Sequence, residues 1–395
     1  MRLKDICEIN KKTYSVKEKW PVIYYLDTQN INKGQINEVK RYNTEWEKMP
    51  SRAKRKVSKN DILYSMVRPN QHHYGIIQSE KENFLVSTGF AVITVNENIA
   101  DPYFIYYFLT QAQVIEYLQN IAEQSTSTYP AIKPSDIEEL AIDLPDLEKQ
   151  KRIGKFLRSI DETINVKKNI NDNLEQQSAA IFSDWLETYA TSSREVTLDE
   201  VCIKVTDGSH FSPKDDPTSS IPMLSVKDMN EYDFNFTSCK HISEEDYQKM
   251  EANDCVPKVN DILVAKDGSY LKEIFVCNER RKLAVLSSIA IFRPNPEVIY
   301  TEILLAFLKS PHVLQEVRDN YVSGSALPRI VLKDFKKLKF SLPDMQAQSD
   351  IADVMIAYRK KIALNIQENQ RLEAMRDALL PRLMSGKIDV SAVQL

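Results

Sequence analysis

Two periods of hydrophobic and polar residues run along this chain, and the change from one to the other marks its elements. From Asp146 to about Glu187 apolar residues recur at helical spacing with no proline and one glycine, Gly154, which predicts a long helix. With Ile153 as heptad position a, the a positions are Ile153, Ile160, Lys167, Leu174 and Ile181, and the d positions are Leu157, Ile164, Asn171, Ser178 and Trp185. The same frame shifted by 198 residues gives Ile351, Tyr358, Asn365, Leu372 and Leu379 at a, with Met355, Ile362, Asn369, Arg376 and Leu383 at d. Both stripes are apolar at their ends and polar at their centres. Antiparallel packing sets one polar centre against the other, an arrangement that costs stability but defines register and orientation. About 42 residues at ~1.5 Å each make a rod of roughly 60 Å.

Ahead of each helix the pattern is one of short β-type runs. Val22–Tyr25, Asp61–Tyr64 and Ala91–Val95 are short β-type runs between turn-forming stretches, and a helix is expected at about Pro102–Asn120, with its counterpart at Tyr300–Asp319. These halves are copies of one another. Asn60-Asp61-Ile62-Leu63 returns as Asn260-Asp261-Ile262-Leu263, Pro130-Ala131-Ile132 as Pro328-Arg329-Ile330, and Leu144-Pro145-Asp146 as Leu342-Pro343-Asp344; Gln150 matches Gln348 and Ile153 matches Ile351. Leu3 and Cys7 match Leu198 and Cys202 at a slightly shorter offset. The expected organisation is α+β: a domain over 1–145, a helix over 146–190, a second domain over 191–343, and a second helix with a tail over 344–395.

Composition removes several chemistries. Eight glycines in 395 residues leave no G-x-G-x-x-G, no G-x-x-x-x-G-K-[ST] and no G-x-S-x-G. The longest apolar runs, Tyr103–Leu109 and Ile303–Leu308, fall far short of the ~20 residues that span a bilayer. The opening MRLKDICEINKK has no apolar core, so no secretory signal is expected there. Five cysteines without a C-x-x-C read as reduced thiols in a cytoplasm. Cys239, His241 and Cys255 lack a fourth ligand and a zinc-site spacing, so no metal site is expected.

Net charge is −4, but it is unevenly spread: residues 1–60 hold fifteen Lys/Arg against seven Asp/Glu, and residues 97–148 hold one against ten. A basic face on an acidic protein fits this pattern. Candidate DNA-binding residues follow from it. In the first half they are Arg52, Lys54, Arg55 and Lys56, with the polar loop Arg68, Asn70, Gln71 and His72. In the second half they are Ser209, His210, Lys214, Lys227, Lys266, Ser269, Tyr270 and Arg281. Lysine and arginine neutralise phosphates, while Arg, Asn, Gln and His reach base edges. The bland reading of any one run is a solvated face.

No catalytic residue is assigned. Asp101-Pro102-Tyr103-Phe104 looks like an amino-methyltransferase signature but lacks its second proline, and Asp101 reads instead as a helix cap with Pro102 in the first turn. Asn295-Pro296-Glu297 is read as its counterpart. His72-His73 and Asp207-Gly208-Ser209-His210 carry no defensible nucleophile-base arrangement.

With these residues in view, the chain resembles the specificity subunit of type I restriction-modification systems over essentially its whole length. The phrases that carry the resemblance are Asn260–Leu263, Thr206–His210 with Pro213, Gly324–Ile330, Leu342–Asp344 with Gln348 and Ile351, and Leu379–Val390. The first half departs from the pattern, with Ser125–Pro130 where the second has the Gly324 version. The resemblance implies two target recognition domains, each reading one half of a bipartite asymmetric site on double-stranded DNA. It implies an antiparallel coiled coil with pseudo-two-fold symmetry that sets the gap, and a place in phage defence. It further implies docking of two methyltransferase subunits and restriction/translocase subunits, with S-adenosylmethionine, ATP and Mg²⁺ on those partners and none in this chain. Phe156, Phe182, Tyr189 and Met375 either serve partner helices or pack on the chain's own domains. Two other readings stand beside this one: a type IIB-like specificity polypeptide with some catalysis of its own, and a coiled-coil scaffold without a DNA role.

Overall fold

The computed structural model describes residues 1–125, 129–268, 271–323 and 329–388. Gly324–Pro328, Thr126–Thr128 and Asp389-Val390 from the phrases above lie outside the described residues, as do the candidates Ser269 and Tyr270. The chain forms two compact units, Met1–Asn165 with Gln370–Leu395, and Val166–Asn369. Each unit therefore holds one α+β domain and a segment of both long helices.

In the first unit an antiparallel sheet has strand Phe90–Val95 between Cys7–Ile9 and Ile62–Ser65, with Tyr74–Ile76 at the edge. Phe90-Ala91-Val92-Ile93 is fully buried because this central strand is covered on both faces. A second sheet runs Lys40–Asn43, Val22–Leu26, Phe84–Ser87, Ala53–Lys56, with a parallel step between Val22–Leu26 and Phe84–Ser87. Helices α1 (Pro102–Leu109) and α2 (Ala112–Glu123) follow, and then α3 (Leu147–Thr188). Leu3, Ile6, Phe104 and Ile105 form one core with Ile153 and Leu157 of α3 and with Leu380 and Leu383 near the chain's end.

The second unit repeats this plan. Strand Ile289–Pro294 lies between Cys202–Asp207 and Ile262–Ala265, with Ile274–Val276 at the edge. Its second sheet, Lys240–Ile242, Ile221–Leu224 and Ala284–Val285, keeps the parallel step. After Lys240–Ile242 the copies diverge. Here Ser243 caps a helix, α4 (Glu244–Ala252), by accepting from the Asp246 amide at 3.1 Å, where the first unit has a loop and strand. Helices α5 (Thr301–Lys309), α6 (Pro311–Asn320) and α7 (Met345–Met384) complete the chain.

Shared phrases mark shared joints. Asn60 and Asn260 both take φ 69°, a left-handed turn that asparagine tolerates. The buried carboxylates that follow accept the amides of Ser58 and Lys258 at 2.7 and 2.8 Å. Gln150 and Gln348 are each 1% exposed. Gln150 accepts from the Asp101 amide at 3.0 Å and donates to the carbonyls of Ile99 and Pro145. Gln348 does the same with Tyr300, Val298 and Pro343. These clamps tie the start of each long helix to the loop that opens α1 or α5.

Two expectations are corrected. The stretches expected as single helices after Pro102 and Tyr300 are each two helices. Ser310 ends α5 and caps α6, whose first residue is Pro311, and proline has no amide to continue the preceding helix; in the first unit the break falls at Thr110-Gln111. Asn295 is the counterpart of Asn96, not Asp101. Asn96 and Asn295 donate their amides to Ile6 and Val201, and their side chains cap the loop amides of Asn98 and Glu297. Asp101 itself caps α1 through the Phe104 amide at 2.9 Å.

Within each unit the long-helix segments run antiparallel. In the second, Trp185 Nε1 donates to the Ala347 carbonyl at 2.8 Å, Tyr358 to Gln177 at 3.0 Å, and Asn365 to Asn171 at 2.7 Å, and Lys167 pairs with Glu368 at 2.7 Å. In the first, Arg376 pairs with Asp161 at 2.6 Å. Of the expected seam, Ile153, Leu157, Ile160, Ile164, Trp185, Met355, Ile362 and Leu383 are buried. Leu174, Ile181, Ile351, Tyr358, Leu372 and Leu379 are half-buried. Phe182 and Leu380 are buried beside Ile181 and Leu379, as a helix of 3.6 residues per turn drifts from a strict heptad and serves its domain core as well.

Candidate nucleic-acid interface

In each unit the two sheets meet at a tight turn, and the candidate loops collect around it. In the first unit the turn is Thr88-Gly89. The Thr88 amide donates to the Arg52 carbonyl at 2.9 Å and the Met66 amide to the Gly89 carbonyl at 2.9 Å. Ile132 in turn donates to Met66, and Arg68 to Pro130, both at 2.9 Å. Backbone pairing thus brings together three loops that are far apart in sequence, those carrying Arg52, Arg68 and Tyr129.

The second unit builds the same end around Ser287-Ser288. The Lys266 amide donates to the Ser288 carbonyl at 3.1 Å, and Ile330 to Lys266 at 2.9 Å, so Lys266 stands where Met66 stands. Ser209 donates its amide to Val285 at 2.8 Å and accepts from the Ser287 amide at 3.0 Å. The Val226 amide donates to the Ser288 hydroxyl at 3.2 Å, bringing in the Lys227 loop. Gly208 is required here: a Cβ would lie 2.2 Å from the Val285 carbonyl oxygen.

The side chains differ in what they are free to do. Arg52, Lys54, Asn70, Gln71, Lys214 and Lys227 are exposed, and their charged or amide groups point into solvent at little cost. Arg68 is exposed in a left-handed conformation, φ 48°, its guanidinium 5.4 Å from the Tyr129 ring. Lys56 is half-buried, ion-paired with Glu18 and 5.0 Å from the Trp20 ring; Arg55 beside it is half-buried too. His72 is half-buried at φ 57°, 6.0 Å from the Tyr74 ring. Burial, and next the neighbouring Lys33 and His73, pull its imidazole below the ordinary histidine value.

In the second unit Lys266 is 8% exposed and held between Asp267, at 3.3 Å, and Asp207, at 3.5 Å. Arg281 is bound to Asp233 at 3.0 Å and to Glu279, with its guanidinium 5.1 Å from Phe236. Both cations face carboxylates of their own domain. The Ser209 hydroxyl is also occupied, donating to the Phe211 carbonyl at 2.8 Å. His210 is exposed with Nε2 3.3 Å from Asp207. Asp207 and His210 are therefore close while the serine faces elsewhere, and no nucleophile-base pair forms. Among the described residues no group of three His, Cys, Asp or Glu side chains is placed to hold a metal ion, and no helix is long and apolar enough to cross a membrane.

Sequence reading passed over the exposed aromatics. Phe211 is 62% exposed beside His210, on a loop pinned by the Ser209 hydroxyl. Tyr129 is 59% exposed against Arg68, and Trp46 is 80% exposed in the loop after Lys40–Asn43. An aromatic set among polar and turn residues, as in Ser209-His210-Phe211-Ser212-Pro213, was the available signal. Of the residues proposed for partner helices, Phe182 is in the core of its own unit, Phe156 packs against the first unit's core, Tyr189 donates to Asp350 at 2.8 Å, and Met375 is exposed.

The comparisons agree with this two-fold plan. A family model for the type I restriction modification DNA specificity domain matches residues 1–176 and again 192–374. The chain is 22% identical over 408 residues to the HindI type I restriction enzyme specificity subunit of Haemophilus influenzae, covering 86% of this chain and 89% of that one. It is 25% identical over 424 residues to the MjaIX specificity subunit of Methanocaldococcus jannaschii, covering 98% and 93%. Its fold is similar to the crystal structure of a type I restriction-modification S subunit from M. genitalium, with a TM-score of 0.56 at 17% identity over 97% of this chain and 95% of that one.

Proposed function

Because the chain belongs to the type I restriction-modification DNA specificity family, as a specificity subunit with two tandem recognition domains, we propose that it reads double-stranded DNA and does no chemistry on it. Each domain contacts one half of a bipartite site through the loops around its sheet-joining turn, and the long helices set the gap between the half-sites. The observation that supports this most directly is the clustering of exposed Arg52, Arg68 and Tyr129 around Thr88-Gly89, matched by the His210, Phe211 and Lys227 loops around Ser287-Ser288. Cations of this kind position a protein on phosphates, and exposed amides and aromatics meet base edges.

In this reading two methyltransferase subunits dock on the chain and restriction/translocase subunits complete the complex, in the cytoplasm and against phage. S-adenosylmethionine, ATP and Mg²⁺ are held by those partners, in keeping with the absence of glycine-loop motifs from the sequence. The test is a methylation map. The chain is co-expressed with its modification subunit in a methylation-free host, with the modification subunit alone as control. A split adenine-methylated motif of fixed gap, present only with this chain, is expected. No new methylation from an assembled complex would refute the reading.

A further inference from the structure

The two units fill one corresponding place in opposite ways. In the first, Tyr64, Tyr74, Tyr106 and Tyr107 make a continuous aromatic run with centroids 6.0, 6.1 and 5.1 Å apart. It ends where the Tyr107 hydroxyl donates to Asp161 at 2.6 Å, on the carboxylate that also holds Arg376. Strand register and the glutamine clamps assign each of these a counterpart. Tyr64 and Tyr74 are cross-strand partners, as are Val264 and Ile274. Counted from the amides that the clamps bind, Asp101 and Tyr300, the residues matching Tyr106 and Tyr107 are Leu305 and Ala306. Ser178 stands on α3 as far from Gln150 as Arg376 stands on α7 from Gln348.

Four phenol rings and a guanidinium are thus replaced by aliphatic or small side chains, and the larger Phe275, Tyr358 and Arg359, which stand where the first unit has Gly75, Ile160 and Asp161, line the space without filling it. Protein interiors normally close such space to crystal-like density. Here it stays open: a cavity of about 780 Å³ is lined by Ser178, Phe182, Ile274, Leu305, Ala306 and Tyr358. Apolar sites of this size bury a drug-sized ligand and need only a few polar groups to orient it. Those groups are present at the cavity wall. Glu302 is 4% exposed and carries the Arg359 guanidinium at 2.7 Å, and the carboxyl of Glu231 lies beside Tyr232.

We propose that this cavity of the second unit is a binding site for a small planar aromatic molecule of two or three rings carrying a phenol-type hydroxyl. Its rings take the space that Tyr106 and Tyr107 fill in the first unit. Its hydroxyl donates to Glu231 or Glu302 of the wall, since Arg359 stands where Tyr107 meets Asp161. The twin site supplies the chemistry of the occupant, and the substitution pattern explains why the occupant must come from outside the second unit.

The experiment titrates 2-naphthol into the full chain, following naphthol fluorescence and intermolecular NOEs to the Ala306 and Leu305 methyl groups. A dissociation constant on the order of 100 µM is expected for a ligand of this size, with naphthalene binding about tenfold more weakly for want of the hydroxyl. Ala306→Tyr should weaken 2-naphthol at least about tenfold by occupying the site, and Leu305→Phe is the second filling variant should the first not fold. No saturable binding at 1 mM (about ten times the expected constant), or binding unaltered in the folded filling variants with no NOEs to Ala306, overturns the proposal. Displacement of 2-naphthol by the modification subunit would assign the cavity to a protein side chain and overturn it equally.

Discussion

The side-chain amide of Asn365 donates to the Asn171 side-chain oxygen at 2.7 Å, with the two residues 1% and 3% exposed. This is a polar layer inside a helix pair, and Lys167 and Glu368 close it at the surface. Replacing one asparagine with alanine strands the other, so Asn171→Ala should cost about 1–3 kcal/mol. Replacing both with leucine should be neutral or stabilising, because paired apolar residues need no desolvation. Chemical denaturation of the single and double variants measures both. A single variant as stable as the parent would contradict the layer's role.

Gln150 and Gln348 each join three backbone groups. Gln150→Ala and Gln348→Ala should each cost about 2–4 kcal/mol, the sum of several unsatisfied buried groups discounted for relaxation. The two sites belong to separate units, so their costs should add. Amide exchange should accelerate at Asp101 in the first variant and at Tyr300 in the second, which distinguishes a local clamp from general destabilisation.

DNA affinity should separate the basic residues that sequence alone treats as one run. Arg52 and Lys54 are exposed, whereas Lys56 is paired with Glu18. Replacing Arg52 and Lys54 with alanine should weaken binding of every duplex and lower the slope of log affinity against log salt by roughly two, one per phosphate lost. Lys56→Ala should leave that slope unchanged. Fluorescence anisotropy across a salt series, on the complex with the modification subunit, decides between them.

Acid should loosen the second unit through Asp254. Burial works to raise its pKa, but hydrogen bonds from Lys204 at 2.7 Å, Lys258 at 3.0 Å and Arg293 at 3.0 Å overcome it and hold the carboxyl well below the usual range. A carboxyl lowered on folding contributes stability above its unfolded value of about 4, and loses it as pH falls through that value toward the folded one. Asp254→Asn should therefore cost about 1–2 kcal/mol at pH 7 and flatten the loss of stability between about pH 4 and 2. Urea midpoints at several pH values would show it. Parallel curves for the two proteins would rule Asp254 out as the titrating group.

Sequence by itself determined much of this protein, because its signals are local and written twice. The β-type run at Ala91–Val95, helical spacing after Asp146, the Asp101 cap and the polar centres at Asn171 and Asn365 depend on residues near in sequence, and the repeat doubles all of these but the cap, since Tyr300 at the matching place caps with no side chain. Tertiary structure decided what depends on distant neighbours. Lys266 and Arg281 count as cations in the sequence but are held by Asp207 and Asp233 in the fold, and the Ser209 hydroxyl turns to Phe211 rather than His210. The open space beside Ala306 arises the same way: nothing near it in the chain signals a cavity. It exists because Ile274, Ala306 and Ser178, brought in from three separate elements, are all smaller than their twins, and volume is a property of packing, not of any single segment.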